Sequence, residues 1–280
     1  MPTLEITTNI GCPLMCAYCP QAKLKTSYGK NMKWLSFTDF VAILAKVPRY
    51  VRIDFSGMSE PWINSECTAM LRHALRRGYN VALYTTLVGL TDPDDVIGLL
   101  RGHREQVECV VIHLPDDQGN MLGFIPTGQY DRALKAFIAF DAEGGTKWFR
   151  WMAMGAAVSR NDVATTMEWI ANDRAGSLSG ERVEPVQHET PVSCSFTPFY
   201  DQNVLLPNGD VVLCCMDYEL KHKIGNLLTD DYFALFASPE MGRLRAENTK
   251  CGGDGSICKR CVRATRYEVS PGFKQFWAAA

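Results

Sequence analysis

Three cysteines near the beginning of the chain are spaced so that their thiolates can bind a single iron–sulfur cluster. They are Cys12, Cys16 and Cys19, in the segment GCPLMCAYCP at residues 11–20. A four-iron cluster held by four protein cysteines passes electrons, whereas one held by three has an iron atom that is open to a substrate or cofactor. The CxxxCxxC spacing therefore predicts a cluster that takes part in chemistry.

The sequence gives less support to two other uses of the same cysteines, a zinc site and a disulfide framework. A zinc site needs four ligands, usually from paired CxxC units or from mixed cysteine and histidine, and the nearest histidine is His73. A disulfide framework needs an oxidising compartment, but the N-terminus MPTLE has no signal-peptide character. Eleven cysteines in a chain without an export signal favour metal binding or catalysis. We therefore expect a cytoplasmic protein.

The three-cysteine segment resembles the signature of the radical S-adenosylmethionine enzymes, which have an aromatic residue before the last cysteine, here Tyr18. This resemblance implies that the open iron binds the amino and carboxylate groups of S-adenosylmethionine. It also implies that reductive cleavage of this cofactor gives a 5′-deoxyadenosyl radical, which abstracts a hydrogen atom from the substrate.

Two later segments resemble other motifs of this family. Residues 56–61 read SGMSEP and resemble the Gly-Gly-Glu-Pro motif that meets the cofactor's amino group, which implies a binding role for Gly57, Ser59 and Glu60. A carboxylate and a hydroxyl suit an amino group, and glycine permits the turn. Thr85 and Thr86 resemble the segment that contacts the ribose. An ordinary strand-to-helix turn is the alternative for both segments.

The alternation of apolar strands with amphipathic helices predicts a parallel sheet with crossover helices. Six such units indicate a partial (β/α)6 TIM-like barrel, with the chemistry at the carboxyl ends of the strands. We predict five strands followed by a weak sixth, at Leu4 to Asn9, Tyr50 to Phe55, Asn80 to Thr85, Val107 to Leu114, Lys147 to Met154 and Val183 to Gln187.

The predicted helices separate these strands. Ser36 caps a helix that ends near Val47, Asn64 caps the next, and Thr91 caps a helix that ends at Leu100. Two further helices are predicted, at Tyr130 to Ala142 and at Asp162 to Asp173. The barrel is expected to occupy residues 1–190.

Residues 191–280 are expected to form a small cysteine-rich domain. Pro207 to Asp210 reads as the turn of a hairpin between Val204-Leu205 and Val211 to Leu213. The cysteine layout resembles the SPASM module and its shortened form, called Twitch, which holds one auxiliary 4Fe-4S cluster. The resemblance implies four ligands: Cys194, Cys214, Cys258 and Cys261.

The remaining cysteines have open interpretations. Cys67 and Cys109 lie within helix and strand patterns and fit a buried core. Cys215 follows a predicted ligand, so its side chain points to the other strand face. Cys215 is either simply buried, or it has a chemical role as a hydrogen-atom donor or as a replacement ligand of the cluster. Cys251 is likewise either buried without a chemical role or a hydrogen-atom donor. Asp217 is either a substrate contact or a turn cap.

The substrate is expected to be a small molecule, because Cys12 leaves no space ahead of the barrel for a peptide-recognition domain. The overall layout resembles the radical dehydrogenases of aminoglycoside pathways, which implies oxidation of an alcohol with the auxiliary cluster as electron acceptor. His113, Arg150 and Asp217 are candidates to take or guide the hydroxyl proton. An external one-electron reductant such as flavodoxin or ferredoxin is implied.

Other functions stay open on the sequence. A peptide maturase would use the same two clusters, an epimerase would need a cysteine donor such as Cys215, and a non-enzymatic electron carrier or zinc protein would cleave no cofactor. A net charge of −2 gives no basic footprint for nucleic acid, and no apolar run is long enough to span a membrane. The lysines at 23, 25, 30 and 33 are either solvated surface or face an anionic substrate.

Overall fold

Six parallel strands, adjacent in space in the order of the chain, form the centre of the protein. The computed structural model describes residues 1–159, 162–163, 165–167, 173–178 and 186–266. The six strands are β1 (Thr3–Ile6), β2 (Arg52–Phe55), β3 (Val81–Thr85), β4 (Val107–Leu114), β5 (Phe149–Ala153) and β6 (Thr165–Met167). The predicted α/β class with a parallel sheet is confirmed, and the first five strands lie where the hydrophobic pattern predicts them.

The α-helices of the described residues are α1 (Gln21–Tyr28), α2 (Phe37–Leu44), α3 (Cys67–Arg76), α4 (Pro93–Gly102), α5 (Gly128–Ala142) and α6 (Pro239–Asn248). Four short 3-10 segments accompany them, at Pro61–Ile63, Arg104–Gln106, Tyr232–Ala237 and Ile257–Arg260. The predicted cap of α2 is confirmed, since Ser36 Oγ accepts a hydrogen bond of 3.0 Å from the Asp39 amide.

Two predicted caps are wrong by one or two residues. Asp92, not Thr91, caps α4, because its carboxylate accepts the Asp95 amide at 3.0 Å and is a stronger acceptor at the positive helix end. Asn64 accepts the Glu66 amide at 2.9 Å, but α3 begins only at Cys67. Helix α1 has no counterpart in the sequence prediction, because its apolar residues are few.

The sixth strand lies elsewhere than predicted. Thr165–Met167 forms β6, parallel to β5 with Thr165 opposite Trp151, so the predicted helix over 162–173 is wrong there. Two adjacent threonines favour extended backbone, and pairing with the open edge of β5 outweighs the helical pattern. Residues 168–172 lie outside the described part, as do 183–185 of the predicted strand, while residues 186–187 are not in a strand.

Alternation along the strands separates an apolar outer face from a polar interior. In β1, Leu4 and Ile6 are fully buried in the main hydrophobic core, whereas Glu5, between them, lines a cavity inside the sheet. In β2, Ile53 and Phe55 pack in the same core, and the other two residues of the strand face the cavity. Because neighbouring strand residues point to opposite faces, each strand contributes to both environments.

The C-terminal segment extends the same sheet. It contains β7 (Val192–Cys194), β8 (Gln202–Leu205), β9 (Asp210–Val212), β10 (Lys223–Asn226) and β11 (Ala264–Arg266). The predicted hairpin is confirmed, with Leu205 opposite Val211, and β8 pairs in parallel with β1. The hairpin therefore continues the barrel sheet across its first edge, while β7 and β11 form a separate antiparallel pair.

None of the helices in the described ranges combines the length and apolar character required to cross a bilayer.

Candidate active site

A single cavity of about 600 Å³ contains both predicted cysteine groups. Its lining includes all seven of the predicted ligands: Cys12, Cys16, Cys19, Cys194, Cys214, Cys258 and Cys261. None of the eleven cysteines forms a disulfide. The topology explains this meeting, because the first group follows β1 and the second lies around β7, β9 and β11, while β8 pairs directly with β1.

Backbone contacts fix the loop that carries the first three cysteines. The Cys19 amide donates to the Cys16 carbonyl at 3.0 Å, and the Ala17 amide donates to the Asn120 carbonyl at 2.8 Å. Burial raises the pKa of the Cys12 thiol to about 11. The backbone amides of Leu14 and Glu60 approach this thiol and limit the rise. Burial raises the Cys16 pKa to about 12. Iron must therefore displace protons from these thiols on binding.

Two polar side chains approach the third cysteine of this group. The Tyr218 hydroxyl lies 3.6 Å from Cys19 Sγ, and the Gln21 side-chain amide lies 3.5 Å from the same atom. Gln21 also accepts the Cys12 amide at 3.3 Å and donates to the Met58 carbonyl at 2.5 Å. Gln21 thereby links the first and third cysteines to the loop after β2.

The loop after β2 approaches the end of β1 so closely that its turn requires glycine. Gly57 has φ of +55°, and a Cβ built there would lie 2.4 Å from Thr7 Oγ1 and 2.7 Å from the Thr7 amide nitrogen. The Thr7 hydroxyl in turn accepts the Met58 amide at 3.1 Å. The predicted cofactor residue Gly57 lines the cavity, and its local role is to allow this approach.

Glu60 joins the ends of β2 and β3. Its carboxylate accepts Thr85 Oγ1 at 2.6 Å, the Thr86 amide at 2.7 Å and Thr86 Oγ1 at 2.8 Å. Burial raises the pKa of Glu60 to about 7, and these hydrogen bonds limit the rise. The three residues predicted from separate motifs therefore form one hydrogen-bonded unit in the cavity wall.

Ser59 and Tyr18 also line the cavity. Ser59 Oγ donates to Asn9 Oδ1 at 3.2 Å, so the serine connects the loop after β2 to the segment before the cysteines. Burial and the neighbouring Cys16 thiol raise the pKa of Tyr18. All six predicted cofactor residues are thus on the cavity wall near the first cysteine group.

The four C-terminal cysteines are held by short turns and by a buried lysine. Cys194 ends β7 opposite Ala264 of β11, and Cys258 and Cys261 lie in and directly after a 3-10 turn. The side chain of Lys259 is 1% exposed and donates to the carbonyls of Thr190 and Lys250 at 2.9 and 2.6 Å. Burial raises the pKa of Cys214, Cys258 and Cys261, the last to about 11.

The donor sets fit iron–sulfur clusters, because thiolates are the usual ligands of such clusters. The first group supplies three thiols and the second supplies four. All of them face shared space in one cavity, which suits multi-atom clusters.

Two of the predicted proton-handling residues line the cavity. His113, in β4, has its pKa lowered to about 4 by burial and by the positive charge of Arg174, so its imidazole is neutral at physiological pH. Arg150, in β5, stacks on the Trp148 ring at 5.6 Å. A guanidinium stays protonated, so Arg150 can bind or orient a substrate but cannot accept a proton.

Asp217 lies apart from these residues. It is buried, it is not part of the cavity lining, and its carboxylate accepts the amides of Lys221 and His222 at 2.9 and 2.7 Å. These contacts match the turn-cap alternative that the sequence left open.

The four cysteines that are not proposed ligands also differ in whether they line the cavity. Cys215 lines the cavity, where its thiol hydrogen-bonds to Glu5, while Cys251 is exposed outside it. Cys67 and Cys109 are buried in hydrophobic clusters, as predicted. Among the described residues, the lining includes none of the four N-terminal lysines, and Lys23 pairs with Glu219 at 3.2 Å.

Sequence reasoning missed a set of polar residues that line the same cavity as the cysteines, here called the polar layer. It consists of Glu5, Arg52, Asp54, Ser56, Tyr84, Arg174 and Tyr218, all of which line the cavity. A signal was present for Glu5 and Asp54, because each is a charged residue between apolar neighbours in a buried parallel strand. Such a residue faces the barrel interior by strand alternation.

The C-terminal region matches a known family. Residues 194–262 match SPASM, an iron–sulfur cluster-binding domain. The whole chain is similar in fold to BtrN in complex with AdoMet and 2-DOIA, with a TM-score of 0.60 and 14% identity over 96% of this chain and 94% of that one. The chain therefore contains a SPASM-type region within a fold that it shares with BtrN.

Two further solved structures share this fold. Streptococcus suis SuiB bound to its precursor peptide SuiA gives a TM-score of 0.59 and 15% identity, covering 92% of this chain and 69% of that one. The anSMEcpe structure with bound AdoMet gives a TM-score of 0.51 and 14% identity, and the match covers 93% of this chain and 86% of that one. The SPASM match agrees with the expected iron–sulfur cluster in the C-terminal region, and the BtrN and anSMEcpe structures were both solved with AdoMet.

A shorter similarity exists to curated relatives. A probable dual-specificity RNA methyltransferase RlmN of Trichormus variabilis is 26% identical over 117 residues, which is 41% of this chain. A Nostoc protein of the same name matches equally. The match spans 32% of the length of these relatives.

Proposed function

We propose that this protein is a radical S-adenosylmethionine enzyme that oxidises an alcohol group of a small polar molecule, such as an aminocyclitol, to a ketone. The observation that carries the proposal is the single cavity that joins a three-cysteine group to a four-cysteine group. Oxidation of an alcohol removes a hydrogen atom, a proton and one further electron. A site with one cluster for radical generation and one for electron removal suits this balance.

The residues of this chain have separate roles in the proposal. Cys12, Cys16 and Cys19 would hold the first 4Fe-4S cluster, and the Glu60 unit would receive the amino group of S-adenosylmethionine. When bound, these groups supply a 5′-deoxyadenosyl radical after one-electron reduction by an external donor such as flavodoxin or ferredoxin.

The second group would hold the electron-accepting cluster. Its proposed ligands are Cys194, Cys214, Cys258 and Cys261. The polar layer would bind the substrate. His113 and Arg150 contribute a neutral imidazole and a fixed positive charge to the cavity wall.

A similarity in fold supports the choice of substrate class. BtrN, which this chain matches over nearly all of both chains, was solved with AdoMet and 2-DOIA. The cavity of this chain is lined by guanidinium, carboxyl and hydroxyl groups, which are the partners that a polyhydroxylated amine requires.

Peptide modification is the second candidate. SuiB was solved with a precursor peptide. In this chain, the half-exposed Trp148 and Phe196 side chains line the cavity, and Phe196 stacks on Arg263 at 4.5 Å. Such aromatic and guanidinium pairs can hold an extended chain at an entrance.

Anaerobic turnover tests the proposal. The reconstituted protein is incubated with S-adenosylmethionine, dithionite and 2-deoxy-scyllo-inosamine, and the products are quantified by mass spectrometry. We expect equal amounts of ketone and 5′-deoxyadenosine. A different result would favour peptide modification: 5′-deoxyadenosine forms but the aminocyclitol stays unchanged, whereas a peptide supplied instead of the aminocyclitol is modified.

A further inference from the structure

We infer that Glu5 is the catalytic residue that accepts the hydroxyl proton of the substrate. This inference rests on the proposed alcohol oxidation and names a residue that neither the cysteine motifs nor the predicted proton carriers include. Glu5 is the third residue of β1 and lines the cavity that contains both cysteine groups. It is one of three acidic residues, with Asp54 and Glu60, among the described residues that line this cavity.

The other two carboxylates are already engaged. Asp54 forms a bidentate ion pair with Arg52, with contacts of 2.6 and 2.7 Å, so its charge is compensated. Glu60 accepts the three hydrogen bonds from Thr85 and Thr86 described above. A proton acceptor needs an oxygen with unused lone pairs, and neither carboxylate offers one as readily as Glu5.

Glu5 has weaker partners. Its carboxylate accepts a hydrogen bond of 3.4 Å from Ser56 Oγ, and it interacts with the Cys215 thiol. Both partners are neutral donors. The carboxylate therefore retains capacity for a substrate hydroxyl in the cavity.

The candidates predicted from the sequence are poorer acceptors. Arg150 stays protonated. Asp217 points both oxygens into its own turn. The pKa of His113 is lowered to about 4, so its imidazolium would release a proton readily and would hold one poorly at neutral pH.

The electrostatic surroundings set the pH at which Glu5 can act. Burial raises its pKa to about 8, the negative charge of Asp54 in the adjacent strand adds to this rise, and Cys215, Ser56 and Arg52 oppose it. Arg174 also faces Glu5 with a positive charge. Since only the carboxylate accepts a proton, activity should rise as pH increases through about 8.

The reaction balances with Glu5 in this role. The C–H hydrogen atom of the substrate would be taken by the radical that the bound cofactor supplies. The O–H bond would break with its electron pair left on the substrate oxygen, and the proton would form a bond with a Glu5 carboxylate oxygen. A cluster held by Cys194, Cys214, Cys258 and Cys261 would supply the acceptor for the one remaining electron, whose loss leaves the carbonyl group.

The test compares Glu5→Gln and Glu5→Asp with the wild type between pH 6 and 9.5, with 2-deoxy-scyllo-inosamine as the probe. We expect ketone formation by Glu5→Gln to fall at least about 100-fold and to lose the rise near pH 8, while Glu5→Asp retains a rise. Cofactor cleavage without the probe should persist in both variants. Glu108→Gln is the matched control, because Glu108 is in β4 but outside the cavity lining.

An infrared titration gives a readout without turnover. In the wild type, the protonated carboxyl band should disappear in steps, with that of Glu60 near pH 7 and that of Glu5 near pH 8. Glu5→Gln should lack the step near pH 8 and keep the step near pH 7. Ketone formation by Glu5→Gln at the wild-type rate and with the wild-type pH profile would overturn the role of Glu5 alone. A wild type that cleaves no S-adenosylmethionine, or leaves the probe unchanged, would instead refute the proposed function and the inference with it.

Discussion

Cysteine side chains of identical chemistry occupy three different environments in this protein. Seven line the cavity as two groups of proposed ligands, and Cys215 lines it beside Glu5. Cys67 and Cys109 pack in hydrophobic clusters, and Cys251 is exposed. Sequence spacing distinguishes the proposed ligands from the other four cysteines, because a cluster requires several thiols close together.

The sequence does not reveal which polar side chains surround the ligands. Tyr218 is 199 residues from Cys19, yet its hydroxyl is 3.6 Å from the Cys19 sulfur. Gln21, only two residues away, also approaches this sulfur. Contacts of the first kind depend on the pairing of β8 with β1, which no local pattern predicts.

Replacing Tyr218→Phe should lower the reduction potential of the cluster bound at Cys19. A hydroxyl that donates to a ligand sulfur stabilises the more negative, reduced cluster, so its removal favours the oxidised state. The measurement is a redox titration followed by electron paramagnetic resonance. Tyr50→Phe, an exposed tyrosine, is the control. An unchanged potential in Tyr218→Phe would show that this hydroxyl does not act on the cluster.

At the scale of elements, the ends of β1, β2 and β3 form one connected edge. Thr7 follows β1 and accepts the Met58 amide, while Glu60 connects the loop after β2 to Thr85 and Thr86. The alternating pattern predicts these strands and places their loops together. It does not predict that Glu60 binds the two threonines, because side-chain pairing across strands depends on register.

Replacing Gly57→Ala should destabilise this edge. The new Cβ would overlap Thr7 atoms at 2.4 and 2.7 Å, and φ of +55° disfavours a side chain. We expect a loss of at least about 1–3 kcal/mol in the free energy of unfolding, measured by denaturant unfolding of the anaerobic protein.

A second glycine gives a matched control for this loss. Gly98 is exposed in α4, and no atom lies within 4 Å of the position that an alanine methyl group would occupy there. Gly98→Ala should therefore stabilise the protein by about 0.5–1 kcal/mol. Equal stabilities of the two alanine variants would contradict the close approach of the two loops.

The sixth strand shows where local pattern fails. Residues 162–173 have a helical pattern, yet Thr165–Met167 pairs with β5. The edge of a parallel sheet offers unpaired backbone groups, and satisfying them outweighs a weak helical preference over three residues. The barrel class was therefore predictable, and the position of its last strand was not.

At the scale of the whole molecule, the C-terminal region is built into the barrel. The predicted hairpin lies next to β1 and carries Cys214 and Cys215 to the cavity. The sequence predicts two cysteine groups and a change in composition near residue 190. Their meeting in one cavity follows from long-range strand pairing, and the division into two domains stays a prediction.

The central claim is that Cys12, Cys16 and Cys19 leave one iron atom open for S-adenosylmethionine. The most direct measurement is reductant-dependent 5′-deoxyadenosine formation by the anaerobically reconstituted protein and its variants. We expect product from the wild type and from Cys251→Ala, whose thiol is exposed outside the cavity, and none from the triple variant Cys12→Ala, Cys16→Ala, Cys19→Ala. Product from the triple variant, or none from the wild type, would contradict the account.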